Sequence, residues 1–154
     1  MYQHVMVPMD GSELAECVIP HVEKIAGSGD NAKVTLVRVV PPFHLHNYAE
    51  EKLPAKDRQR LEAKSKETAQ NYLDNVAQRL GSKGITADTV VLAGSIVPEL
   101  VDYANKHQVE LIVISTHGRS GIGQLLLGSV ADKLVQTACV PVLMIRAPGC
   151  IPHI

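Results

Sequence analysis

The chain has 154 residues, 45% of them hydrophobic and 20% charged, a balance that fits one folded domain and excludes a disordered one. Lys plus Arg number 15 and Asp plus Glu 16, so the net charge of −1 argues against a nucleic-acid backbone or an anionic membrane as the main partner. One Phe, four Tyr and no Trp are too few for a platform that stacks single-stranded bases.

No apolar run approaches the roughly 18 residues of a membrane span. The opening MYQHVMVPMD lacks the basic start and long apolar core of a secretory signal. Cys17, Cys139 and Cys150 form an odd, widely spaced set, unlike a disulfide framework or a metal knuckle. A cytoplasmic domain is expected.

The first element is a short apolar run at residues 4–8, which stops at the turn-like Asp10-Gly11-Ser12. Leu14, Ala15, Val18, Ile19, Val22, Ile25 and Ala26 then recur at spacings of three and four, the stripe of one buried helix face. Asp10 or Ser12 is placed to cap that helix, Gly27-Ser28-Gly29 to end it, and Pro20 to bend it. Residues 33–40, KVTLVRVV, read as a central strand stopped by Pro41-Pro42. Arg38 interrupts it, which suggests an edge or rim position with the stem packed and the head exposed.

An irregular stretch from Pro41 to about Pro54 precedes a charged helix from about Ala55 to Leu80. Its apolar side runs through Leu61, Ala69, Tyr72, Leu73, Val76 and Leu80, with Gly81 closing it. A strand at 85–92, a helix opened by Gly94-Ser95 with Pro98 in its first turn, and an apolar strand at 109–115 follow. A Gly-rich stretch from Thr116 to Gly128 leads into a helix from about Ser129 to Ala138 and a last strand at 140–146. Residues 147–154 read as a C-terminal tail on a single domain of residues 1–146. Strands alternating with helices predict an α/β fold with one five-stranded parallel sheet and helices on both faces.

In such sheets ligands bind beyond the carboxyl ends of the strands, where the strand order reverses. With strand one beside strand four, Val7 to Ser12 would meet Ser115 to Gly121 and Gly128-Ser129 there. Glycines let backbone N–H groups approach phosphate, and a helix N-terminus adds donors and a partial positive charge. Gly118, Gly121, Gly123, Gly128 and Ser129 supply these features, and Arg119 a fixed cation. Asp10 is a candidate acceptor for a ribose hydroxyl. Plainer readings stand beside these: Ser129 and Asp10 as helix caps, and the glycine stretch as a loop without a ligand.

Ser115-Thr116-His117-Gly118, then nine intervening residues and Gly128-Ser129, resembles the nucleotide motif of the universal stress proteins: Gly, two residues, Gly, nine residues, Gly, then Ser or Thr. Val7 to Ser12 is similar to that family's first strand end and Cys139 to Ile145 to its last strand, so the likeness runs to Arg146. The resemblance implies a Rossmann-like, adenine nucleotide alpha hydrolase-like fold with strand order 3-2-1-4-5. It implies a stress-response module, and a homodimer formed through the last strand, Val140 to Arg146. For the family's ATP-binding branch it implies ATP in the crevice, with Mg²⁺ held through the phosphates. Carried over by position, Pro8, Met9 and Asp10 would line adenine and ribose, and Val39 would offer its backbone to adenine. Gly118, Arg119, Ser120 and Gly121 would wrap the phosphates, and Gly128, Ser129 and Val130 would close over them. Ser115 replaces the first motif glycine, where its Cβ would crowd the ribose or its hydroxyl would bond to it.

The apolar last strand, expected at a sheet edge, favours the same pairing on physical grounds. The Walker spacing and a nucleophile elbow are absent, so the reading is a binding module and not an enzyme. The alternatives are a slow ATPase or self-phosphorylating protein with Ser120 or Ser129 as acceptor, and a dimeric interaction protein without nucleotide. A protein partner is expected but not identifiable. His44 and His46 are one residue apart but lack further metal ligands, and a solvent-facing loop is the simpler reading. His117 reads as structural. Cys139 is expected to be buried and Cys150 exposed.

Overall fold

A computed structural model describes residues 2–27, 32–42, 54–116 and 129–146. The strands are β1 His4–Pro8, β2 Lys33–Val40, β3 Ala87–Ala93, β4 Leu111–Ser115 and β5 Val142–Ile145. The α-helices are α1 Ile19–Ala26, α2 Ala55–Gly81, α3 Ile96–Lys106 and α4 Ser129–Thr137. All four strand pairings are parallel and the order is β3-β2-β1-β4-β5, as the sequence and the family resemblance lead one to expect. Helices cover both faces. Val5 and Val7 of β1 pack with α1 and α2, while Met6 packs with α3 and α4, so alternate residues of the central strand build two separate cores. Every residue of β1 and β4 is buried, as a strand covered on both faces must be.

Two local structures differ from the sequence reading. Residues 14–26 are not one bent helix: Leu14–Val18 form a 3₁₀ segment, and α1 starts afresh at Ile19 with Pro20 in its first turn. Proline has no N–H to donate there and its fixed φ suits a helix start, so Pro20 begins a helix without kinking one. Leu14, counted in the stripe, is 39% exposed, whereas Ala15, Val18, Val22 and Ala26 are buried. Ser12 rather than Asp10 meets the helix: its Oγ accepts the Ala15 N–H at 3.1 Å. At the other end, the last residue of α2 is Gly81, and the chain turns at Gly84, whose φ of +81° suits glycine. The Ile85 N–H then reaches back to the Leu80 carbonyl at 3.1 Å, the six-to-one bond of a Schellman ending.

Strand ends also move. The third strand runs 87–93 rather than 85–92, the fourth starts at Leu111, and the fifth covers only 142–145. Leu61 lies on an exposed part of α2; the helix buries Ala69, Leu73, Val76 and Leu80 instead. Among the described residues no helix is long and apolar enough to cross a membrane.

At the amino end of the sheet, His4 ties three elements together. Its Nδ1–H donates to the His107 carbonyl after α3 at 3.0 Å, which leaves Nε2 to accept from the Thr35 hydroxyl of β2 at 2.8 Å. Burial lowers the His4 pKa below its ordinary value, so the ring is held neutral.

Candidate functional site

The strand order reverses between β1 and β4, and there the sheet opens. These two strands pair over Val5↔Leu111 and Met6↔Ile112, whereas β1 and β2 pair along all of β1. Pro8, the last residue of β1, contributes to this opening. The following N–H, of Met9, donates to the Val37 carbonyl at 2.8 Å on the β2 side, so the Pro8 nitrogen faces β4 and has no hydrogen to offer it.

A cavity of about 420 Å³ lies at this opening, within the size range of small-molecule sites. Pro8, Met9, Asp10, Val39, Ser115 and Val130, all named from the sequence, line it together. Three strand ends, of β1, β2 and β4, and the first turn of α4 therefore converge on one cavity. Ser129 begins α4 beside it. Gly118, Arg119, Ser120, Gly121 and Gly128 lie outside the described residues, as do His44, His46, His117 and Cys150.

The cavity has two unlike sides. Toward α3 and α4 it is apolar, with Val37, Val39, Ile96, Leu100, Ile114 and Ala131 in its wall. Toward α1 and α2 it carries Asp10, Arg38 and Ser65, with Ala15 beside them. An apolar wall beside a small set of polar groups is the usual build of a small-molecule site. Among the described residues no group of three or more His, Cys, Asp or Glu side chains is arranged to hold a metal.

Asp10 organises the turn that leaves β1. Its Oδ1 accepts the Ser12 N–H at 2.9 Å and the Ser12 hydroxyl at 2.5 Å, and Ser12 in turn caps the 3₁₀ segment. The carboxylate is thus fixed in direction at the cavity wall. Ser115 is 8% exposed and, by strand alternation, shares the α1–α2 face with Leu111 and Val113. Its Cβ therefore points away from the apolar slot that Ile114 lines.

Three lining residues were not singled out as site candidates from the sequence. Ser65 sits in the middle of a charged helix, where spacing alone cannot show which polar residue turns inward. Thr116 is only 4% exposed at the end of β4 and lies in the wall. Arg38 belongs to a strand flanked on both sides, so the edge reading is wrong; the rim reading holds, because the residue sits near the carboxyl end of β2. Cys139 is exposed rather than buried, since β5 starts three residues after it.

The chain is 32% identical over 151 residues to the universal stress protein MJ0531 of Methanocaldococcus jannaschii, covering 96% of this chain and 84% of that one. The solved structure of MJ0577, a universal stress protein of the same organism, superposes with a TM-score of 0.83 at 25% identity, covering 97% of this chain and 99% of the other. A universal stress protein family protein of Arabidopsis thaliana, solved with AMP bound, shares the fold at a TM-score of 0.68 and 17% identity, covering 96% and 93% of the two chains. The model of the universal stress protein family matches residues 1–146, and the chain belongs to that family.

Proposed function

We propose that this chain is an adenine-nucleotide-binding regulatory module, a homodimer whose crevice takes ATP with Mg²⁺ bridging the phosphates. The observation that carries the reading is the convergence of Pro8, Met9, Asp10, Val39, Ser115 and Val130 on one cavity at the strand-order reversal. The apolar side suits a purine ring, the Asp10 carboxylate suits ribose hydroxyls, and the start of α4 offers backbone donors for phosphate. The AMP carried by the Arabidopsis thaliana relative supports the choice of adenine. Mg²⁺ in this reading neutralises phosphate charge, and the chain's own part is to bind and orient. Binding rather than turnover is the proposed activity, with a conformational signal to a protein partner in a cytoplasmic stress response as its output.

The homodimer rests on β5. Leu143 and Met144 are 36% and 38% exposed on opposite faces of this edge strand, and Val135 on α4 is 48% exposed. A twofold pairing of the strand with its own copy would cover apolar side chains above and below the sheet.

The test is to denature freshly purified protein and identify any released small molecule by mass spectrometry, with a parallel sample incubated with ATP and Mg²⁺. Adenine nucleotide at about one per chain is expected in at least the second sample. A crevice that stays empty in both overturns the proposal.

A further inference from the structure

Arg38 is a charged residue within the apolar second half of β2, Leu36 to Val40, and its head is held between Gly11 and Tyr72. A Cβ on Gly11 would stand 2.7 Å from Arg38 Nη1, 3.0 Å from Cζ and 3.2 Å from Nη2, so the guanidinium rests directly on the Gly11 backbone. On the other side, Cζ lies 5.7 Å from the centroid of the Tyr72 ring on α2, within cation–π range. Gly11 also has a φ of +84°, which makes it glycine for two independent reasons. Arg38 is rooted on β2, but its head lies over the continuation of β1, against the turn that Asp10 and Ser12 build.

We propose that Arg38 is a positioning residue that sets nucleotide specificity: it clamps the Asp10-Gly11-Ser12 turn against α2 so that Asp10 discriminates the ribose hydroxyls of the ligand. The inference rests on the nucleotide reading above. With the base against the end of β2 and the phosphates at the start of α4, strand order puts the ribose over the end of β1, where this turn lies. The two Ser12 bonds to Asp10 Oδ1 fix the carboxylate relative to the turn, and Arg38 fixes the turn relative to the sheet and α2. A planar guanidinium fits between a backbone and a ring in a way that a lysine ammonium does not.

The experiment is titration calorimetry of the full chain with ATP and with 2′,3′-dideoxy-ATP, for wild type, Arg38→Met, Arg38→Lys and Asp10→Asn. Wild type should prefer ATP by roughly tenfold or more, the contribution of a hydrogen bond to a charged acceptor. Arg38→Met should bring that ratio close to one, with affinity for the dideoxy nucleotide kept within about threefold, and Asp10→Asn should lower the ratio. Arg38→Lys should not restore it. Tyr72→Leu, which removes the other side of the grip and leaves the arginine, should also lower the ratio. An unchanged ratio in Arg38→Met, or an equal loss of affinity for both nucleotides, overturns the proposal. ATP binding by wild type without discrimination overturns it and leaves the nucleotide reading standing. Binding of neither nucleotide overturns both.

Discussion

The Tyr72 hydroxyl is buried beside the Glu16 carboxylate and makes no well-formed hydrogen bond among the described residues. Burial first, then the neighbouring Glu16 carboxylate, pushes its ionisation well above the ordinary phenol range. A buried hydroxyl without a partner costs on the order of 1 kcal/mol or more, and phenylalanine keeps the ring that faces Arg38. Tyr72→Phe should therefore be neutral to stabilising, raising the thermal midpoint by up to about 3 °C in calorimetry. A clear fall would show that the hydroxyl is satisfied in solution. His4 gives the opposite kind of dependence. Its folded pKa is lowered by burial, so the unfolded chain takes the proton first as pH falls through its ordinary value of 6.5. Stability should thus decline below about pH 6.5 until the folded ring is protonated too. His4→Gln should show a shallower decline in melts between about pH 7.5 and 5.5, although its midpoint at neutral pH should be lower. At this scale the sequence was most informative at strand ends: Asp10 and Ser115 stand where β-runs stop, and the family resemblance adds Val39 at the end of β2. Arg38 and Tyr72 meet across 33 intervening residues, and nothing local in either segment announces a partner that far away.

Helix endings show what is legible at the level of elements. Gly81 and Gly84 both lie near the end of α2, and sequence alone does not say which takes the left-handed turn; the structure assigns it to Gly84. With nothing within 4 Å of a Cβ at Gly84, Gly84→Ala should cost only the backbone strain, about 1 kcal/mol, in chemical denaturation. Gln108, after α3, is the reverse case. It has a φ of 53° in the same kind of ending, with the Val109 N–H bonded to the Ala104 carbonyl at 3.0 Å. Gln108→Gly should stabilise by about 0.5–1 kcal/mol, measurable by the same denaturation curves. The 3₁₀ segment before α1 was hidden because Ala15, Val18, Val22 and Ala26 keep one buried face through the change of helix type. Periodicity reports the face that is covered, and it says little about the hydrogen-bond pattern beneath.

For the molecule as a whole, the alternation of strands and helices made the α/β class legible, and the order β3-β2-β1-β4-β5 matches the family likeness. The dimer is testable at this scale. Replacing Leu143 and Met144 together by Lys places charges on both faces of β5, and light scattering should then report monomers with an unchanged far-ultraviolet spectrum. A persistent dimer would place the contact elsewhere.

The sheet has two edges, and they are not alike. β5 presents four apolar residues, Val142 to Ile145, while β3 at the far side is guarded by polar groups. Asp88 pairs with Lys33 at 3.3 Å, and the Thr89 hydroxyl is tied to Gln70 and Asp74 of α2 at 2.8 and 3.1 Å. A contact that joins like edge to like edge uses up both sticky margins at once. What remains outward at either end of the joined sheet is the β3 margin, whose large apolar side chains are less exposed than Leu143 and Met144. Growth by strand addition beyond two copies would thus have to use the less exposed and more polar of the two margins, a difference built into one sheet.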